Sequence, residues 1–237
     1  MKFWTLVCAT ILSAGLTQAA TFTVPGTANP WLAGMPDGTR GQYYSADTAP
    51  GQSPLQVTGV PIRGGDAYTF FASGLVDQTG ISSPRLYGPD GGGRYLYHYG
   101  MENGMSNIAA YANTLLGVFL SDDRPDLTGA PAMLHFRNLE PRNYAELSPM
   151  LKQVFMIGNG YSETLGQFQR VVAPEEATRL FLGVMDDMNW HNNWGAFTVE
   201  VNNLTAQPRP VPVPGALSLM GLVIGTLAMA GRRRPAS

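Results

Sequence analysis

The chain has 237 residues, a single cysteine and 15 basic against 17 acidic residues. One cysteine excludes an intramolecular disulfide framework and a thiolate zinc site. The absence of a basic excess argues against nucleic acid, whose binding depends on neutralisation of phosphates by Lys and Arg.

The first 20 residues have the features of a secretory signal peptide. Lys2 precedes an apolar run at positions 3–16, and small residues follow up to Ala20. A short positive start, an apolar middle and small residues at the end define such a segment, and we expect cleavage after Ala19 or Ala20. Because Cys8 lies within it, the mature protein would contain no cysteine.

Short apolar or alternating runs separated by turn residues dominate the middle of the chain. They lie at residues 55–60, 67–72, 114–120, 153–157, 168–172, 178–184 and 197–201. This pattern predicts an all-β fold, a β-sandwich or a β-barrel. Residues 65–207 would form the sandwich and 21–64 an N-terminal extension packed on it. The only helix expected lies near residues 143–152, where Pro149 limits it.

A long polar loop is expected at residues 75–107. Loops of this length in compact domains are usually functional or disordered. It carries Tyr95, Tyr97, His98 and Tyr99, and aromatic rings of this kind can stack on the apolar face of a pyranose. The alternative is that the rings pack over the end of the sandwich.

Residues 180–201 read as a strand, a polar loop and a second strand. The loop is crowded with carboxylates and amides: Asp186, Asp187, Asn189, His191, Asn192 and Asn193. Ca²⁺ takes roughly six to eight oxygen ligands, which such a loop can concentrate in a small volume. The alternative is an ordinary polar hairpin, since Asp and Asn are common in turns.

The C-terminal segment, residues 208–237, combines a proline motif, an apolar stretch and an arginine cluster. Residues 215–231 carry no charge and are followed by Arg232, Arg233 and Arg234. The apolar stretch is near the lower limit for a transmembrane helix, and the arginines would stay on the cytoplasmic side. Together with the signal peptide, this segment predicts export of the intervening chain.

This order of features resembles the PEP-CTERM sorting signal of Gram-negative bacteria, with Pro212-Val213-Pro214 where the usual motif has Pro-Glu-Pro. The resemblance implies processing by an exosortase and a transient anchor in the inner membrane. The final location would be the cell surface or an extracellular matrix. Without Lys2 and the three arginines, 11 basic residues face 17 acidic ones, and the net charge of −6 suits a protein that binds cations or neutral ligands.

Six segments in order resemble the calcium-dependent galactose-binding lectins of the PA-IL type. They are residues 70–74, 88–91, 115–120, 153–160, 173–182 and 186–197. The resemblance covers about residues 65–201 and implies an antiparallel β-sandwich of the galactose-binding-like or jelly-roll type. It implies a Ca²⁺ site formed by the Asp186 carboxylate, the Trp190 backbone carbonyl, the side chains of Asn192 and Asn193, and a carbonyl of Gln78.

The predicted sugar contacts are Asp186, Asp187, Asn192, His98 and Tyr95. In this family the hydroxyls of the bound sugar complete the calcium shell. Two features depart from the pattern: the spacing from Asp186 to Asn192 is one residue shorter, and the sugar-contacting His and Gln of the second loop have no clean match. His98 is the nearest histidine.

The expected function is therefore Ca²⁺-dependent carbohydrate binding, in association with exopolysaccharide. The main alternative is a structural matrix protein with a calcium-stabilised sandwich and no affinity for free sugar. Neither a Gly-x-Ser-x-Gly nor a His-Glu-x-x-His motif is present, so we expect no enzymatic activity. A carboxylate pair for glycoside hydrolysis remains a third alternative.

Overall fold

The computed structural model describes residues 18–80 and 85–205, without the side chains of Glu140 and Pro141. The predicted transmembrane stretch and almost all of the predicted signal peptide lie outside the described residues. Within residues 18–80 and 85–205, no helix is long and apolar enough to cross a membrane.

The described chain is all-β, as predicted. One short helix, α1, spans Leu139–Arg142. The strands are β1 (Gln18–Pro25), β2 (Leu55–Gln56), β3 (Ala67–Asp77), β4 (Tyr95–Tyr97), β5 (Ile108–Tyr111), β6 (Leu115–Leu120), β7 (Leu134–His135), β8 (Glu146–Leu147), β9 (Phe155–Met156), β10 (Tyr161–Ser162), β11 (Gln167–Phe168), β12 (Arg170–Val172), β13 (Arg179–Val184) and β14 (Trp194–Asn203).

Two sheets form the sandwich. One has the strand order β1-β14-β3-β12-β8 and the other the order β2-β13-β6-β9. Pairing is antiparallel except between β12 and β8 and, in a smaller β4-β5-β7 sheet, between β5 and β7. Alternate residues of the long strands, such as Phe70, Val199 and Leu182, are fully buried in the core between the two sheets.

Strands β6 and β13 are buried on both faces. Leu115 and Phe119 belong to the core of the sandwich, whereas Leu116 and Val118 belong to a second core. This second core also contains residues of the β4-β5-β7 sheet and of the N-terminal segment, among them Leu96, Ile108 and Trp31. The protein is thus a three-layered β structure, which explains why residues 115–120 carry no polar side chain.

Three expectations about the elements need correction. No helix covers residues 143–152, because Glu146–Leu147 pairs with β12 as strand β8. The long loop at 75–107 is shorter than expected, since β3 continues to Asp77 and Tyr95–Tyr97 pairs with β5. Gln18–Pro25 pairs along its whole length with β14, so the N-terminal segment supplies an edge strand of the main sheet.

Lys152 stabilises a loop through its buried ammonium group. Its Nζ donates to the carbonyl oxygens of Pro125 (3.3 Å), Thr128 (3.0 Å) and Gly129 (2.7 Å) and to the Thr128 hydroxyl. The residue is only 9% exposed, and burial lowers the pKa of its ammonium group. The ammonium therefore acts as an internal cation that gathers residues 125–129 around it.

We predict that Lys152→Met lowers the free energy of unfolding by about 2 kcal/mol, because it leaves the carbonyl oxygens without their donor. Urea unfolding measures the change. Arg124→Met is the matched control: Arg124 lies beside the same loop, but its side chain is 52% exposed and pairs only with Asp126. Equal stability of the wild type and the Lys152 variant would contradict this role.

Candidate functional site

The loop between β13 and β14 is held in shape by an aspartate from far along the chain. Asp47, 1% exposed, accepts the Trp190 N–H at Oδ2 (3.0 Å) and the His191 N–H at Oδ1 (2.8 Å). These two bonds cap the 3-10 turn Trp190–Asn192. Asn189, just before the turn, adopts a left-handed conformation with φ 78°. The conformation of the loop is therefore imposed by the N-terminal segment.

The end of the loop is fixed against the main sheet. The Asn193 side chain donates from Nδ2 to the carbonyl oxygen of Gly26, the residue that follows β1 (3.1 Å). Its Oδ1 therefore points away from Gly26. Gly195 has φ 86°, and a Cβ there would lie 2.2 Å from the Leu75 carbonyl oxygen. Only glycine permits this close approach of β14 to β3.

A second loop, after β3, lies against the first. Asp77 Oδ1 accepts the backbone N–H and the hydroxyl of Thr79, both at 2.7 Å, and its Oδ2 accepts the Arg85 N–H. A Cβ on Gly80 would lie 3.0 Å from the Asn192 carbonyl oxygen, so the two loops touch. Gln78 is thereby placed next to the 186–193 loop.

Five buried acceptor oxygens in this region have no hydrogen-bond partner. They are Gln78 Oε1, Asn113 Oδ1, Asp186 Oδ2, Asn189 Oδ1 and Asn193 Oδ1. Their residues come from three chain segments that contact one another. Asn113 donates its N–H to the Met185 carbonyl (2.9 Å), next to Asp186, and Asn113 and Gln78 line the same small cavity.

These oxygens are of the kind that bind hard cations. Buried polar groups are normally paired, and one acceptor left alone costs about 1–3 kcal/mol. Each of the five is sealed from solvent. Ca²⁺ takes carboxylate and amide oxygens as ligands at about 2.3–2.6 Å. All five are amide or carboxylate oxygens, which are ligands that Ca²⁺ accepts.

The raised pKa of the Asp186 carboxyl group also favours a cation nearby. The residue is 3% exposed, and burial, with a smaller effect of Asp187, raises the pKa of its carboxyl group to about 8. The Asn193 side chain lowers the pKa of Asp186, but it offsets only part of the increase caused by burial. A nearby positive charge would restore the carboxylate at neutral pH.

Part of the predicted ligand set carries buried oxygens without a hydrogen-bond partner. Asp186, Asn193 and Gln78 each contribute an unpaired buried oxygen, and Gln78 does so through its side chain. The Trp190 carbonyl accepts the Asn193 N–H at 3.0 Å, which uses one of its two lone pairs. Asn192 is exposed. Among the described residues, no group of three or more His, Cys, Asp or Glu is placed to hold a metal, so the candidate shell is mainly amide oxygen.

Sequence reasoning missed Asn113 and did not assign a role to Asn189. Asn113 lies about seventy residues before the acidic loop, in a left-handed conformation (φ 66°) just ahead of β6. It reaches the site only because the backbone of residues 113–114 bonds to Met185. A lone Asn before an apolar strand carries no signal of this contact.

Of the two predicted aromatic sugar contacts, His98 is enclosed and Tyr95 is half-buried. The structure places His98 where no sugar reaches it: its side chain is 0% exposed and stacks on Trp31 at 3.5 Å. His98 Nε2 lies 3.1 Å from Glu102, and Nδ1 lies 3.2 Å from the Asp187 carbonyl oxygen. The Tyr95 ring packs against Tyr97, Tyr111 and Arg137. His98 therefore has a structural role, which ties residues 98–102 to the site.

A small cavity opens beside the unpaired oxygens. It measures about 90 Å³, and its lining includes Gln78, Asn113, Thr79, Tyr87 and Arg94. Arg94, which is 70% exposed, lies 3.8 Å from the Asp187 carboxylate, itself 22% exposed. Hydrogen-bond donors and acceptors thus surround the solvent side of the site.

Comparison with known proteins adds little to this description. No known protein family matches the sequence, and no curated protein does. One similar solved structure is described as "EclA N-terminal domain; PllA-like lectin", with 16% identity and a TM-score of 0.34. The match covers 77% of this chain and 94% of the other. A similarity this distant carries no argument, so the site rests on its own residues.

We predict that Asp186→Asn stabilises the calcium-free protein at high pH. The raised pKa of Asp186 in the folded state means that stability is lost as the pH rises from about 4 to about 8, because the unfolded chain gives up this proton first. The variant has no such proton, so its advantage should grow over that range to a few kcal/mol.

Thermal or urea unfolding in EDTA at pH 5 and pH 8.5 measures this difference. Asp123→Asn, at an exposed position, is the control that should show no such gain. A variant that is less stable than the wild type at pH 8.5 would contradict the assignment.

Proposed function

We propose that this protein is an exported Ca²⁺-dependent carbohydrate-binding protein of the cell surface or extracellular matrix. The observation that carries the proposal is the group of unpaired, buried acceptor oxygens between the two loops. Such a group costs free energy in the absence of a cation, yet the surrounding hydrogen bonds hold it in place.

Different residues of the chain would bind the ion, support the loops and contact the sugar. Asp186, Asn193, Gln78 and Asn113 would hold the ion, and Asp47 and Asp77 keep the two loops in the shape that presents them. A bound Ca²⁺ offers open positions that neutral hydroxyl oxygens can fill. Asp187, Arg94 and the exposed Asn192 would donate to or accept from a sugar at the solvent side.

A specific observation favours the structural alternative. The unpaired oxygens are buried, and His98 is enclosed by Trp31, Trp190 and Glu102. A fully enclosed ion would stabilise the loops without accepting a sugar. In that case the protein would be a matrix component with a calcium-stabilised sandwich and no affinity for free sugar.

The export route forms part of the same proposal. The signal peptide and sorting signal, with exosortase processing and a transient membrane anchor, would deliver residues 21–207 outside the cytoplasm. Residues 21–209, with their net charge of −6, suit a compartment where Ca²⁺ is available and partners are neutral glycans. No feature of the site supports catalysis, and we propose no enzymatic activity.

Calorimetry of the full chain with CaCl₂, and then with methyl β-galactoside in calcium and in EDTA, tests the proposal. We expect heat from calcium, and heat from the galactoside or from members of a glycan array only when calcium is present. Calcium binding without any sugar would establish the structural alternative. Absence of heat from calcium would overturn both.

Asn113→Gly tests the ligand that sequence reasoning missed. Glycine keeps the left-handed backbone and removes the side chain that carries the oxygen, so we expect calcium affinity to fall about tenfold or more. Asn103→Gly is the matched control, since Asn103 is also left-handed (φ 50°) but bonds to the Trp31 carbonyl. An unchanged calcium affinity in the Asn113 variant would remove it from the shell.

A further inference from the structure

The β10–β11 hairpin carries a pair of exposed aromatic rings. Neither of its strands supplies a candidate calcium ligand. Tyr161 and Phe168 are paired across this hairpin. Their rings meet edge to face, with centroids 5.4 Å apart and an interplanar angle of 79°. They remain 38% and 50% exposed. Two exposed aromatic rings held against each other form a ridge on the surface.

Each of the two rings lines a cavity. Tyr161 lines one of about 230 Å³, together with Asp90, Arg142, Asn159 and Glu163. Phe168 lines the other, of about 220 Å³, together with Phe71 and Glu200. Both are smaller than the roughly 300–1,000 Å³ typical of sites for drug-sized ligands. Each is therefore suited to a small group such as one sugar ring.

The first cavity is rigidly built. Asp90 Oδ1 accepts the Asn159 N–H (3.0 Å), and the Asp90 carbonyl accepts a bond from Arg142 Nη2 (3.1 Å). The Arg142 guanidinium lies over the Tyr111 ring at 5.0 Å. Ser162 joins the hairpin to the wall of the cavity by donating to Asn143 Oδ1 (3.2 Å). The polar groups are thus fixed before any ligand arrives.

The lining combines the features that recognise a neutral polyol. Carboxylates accept hydrogen bonds from hydroxyl groups, and guanidinium and amide N–H groups donate hydrogen bonds to them. An aromatic face packs against the C–H groups of a pyranose ring. The charged groups of the two cavities are Asp90, Glu163, Glu200 and Arg142, which gives an excess of negative charge. An acidic glycan would be repelled.

We propose that the hairpin ridge and its two cavities bind consecutive residues of a neutral polysaccharide, without calcium. The residues of this site differ from those of the proposed calcium-dependent site. The two proposals can therefore be tested independently. A ridge whose rings line two ring-sized cavities selects a polymer over a single sugar, since only a chain occupies both.

Affinity electrophoresis of the full chain in EDTA, through native gels containing galactomannan, dextran, laminarin or alginate, tests this proposal. EDTA removes any calcium-dependent binding, so retardation reports on the hairpin site alone. We expect at least one of the three neutral polysaccharides to retard the protein and the acidic alginate not to. No retardation by any neutral polysaccharide, or retardation by alginate alone, overturns the proposal whatever happens at the calcium loops.

Tyr161→Ala and Phe168→Ala should each weaken retardation about tenfold, and Tyr161→Phe should keep it. Tyr97→Ala is the matched control, because Tyr97 is an exposed tyrosine (51%) on the β4-β5-β7 sheet. Thermal melts of all variants establish that they are folded. An equal loss in the Tyr97 variant, or no loss in the two hairpin variants, would refute the site.

Sedimentation velocity without polysaccharide provides an independent check. A wild-type dimer that Phe168→Ala converts to a monomer would show that the ridge is a contact between copies of the chain, which would also overturn the proposal. We expect the same sedimentation coefficient for both proteins.

Discussion

The double-sided burial of β6 and β13 is the constraint on which the rest of the structure depends. These strands pair with each other over six residues, and apart from Arg179 at the start of β13 every residue in them is buried. Hydrophobic burial on both sides fixes where β13 ends. The chain leaves the apolar environment at Asp186, so the first polar residue after the strand is still largely enclosed by the two cores.

That position explains the chemistry of the candidate site. A carboxylate at the mouth of a core loses hydration and must find donors or a cation. The nearest backbone donors are already engaged: Asp47 takes those of Trp190 and His191, and the Asp186 Oδ1 takes the Asp187 N–H. Four amide side chains of this region also carry buried oxygens without a hydrogen-bond partner.

The sequence predicted the parts of this structure that depend on local pattern. The run at residues 115–120 is apolar at every position, which predicts a buried strand. It does not indicate which part of the chain covers the second face of that strand. The density of Asp and Asn after β13 predicts an oxygen-rich loop. The all-β class follows from many short strands and weak helical signals, and the structure confirms it.

Contacts between distant segments account for what the sequence did not predict. His98 lies among tyrosines in the chain and reads as exposed, but Trp31, from a segment taken as an extension, covers it. Asn113 joins the site through a backbone bond to Met185. Residues 143–152 form part of a parallel pair with β12 and not a helix, because pairing overrides a weak local preference. In each case the partner lies more than twenty residues away.

The bond between Asp47 and the Trp190 turn has a consequence for how the protein folds. It spans 143 residues, and β1 pairs with β14 over a still longer separation. Closing such loops is slow and comes late, because the entropy of the chain is lost before the contacts form. The oxygen cluster therefore does not exist in any partly folded chain that lacks its N-terminal segment. A cation that binds there would stabilise only the completed fold.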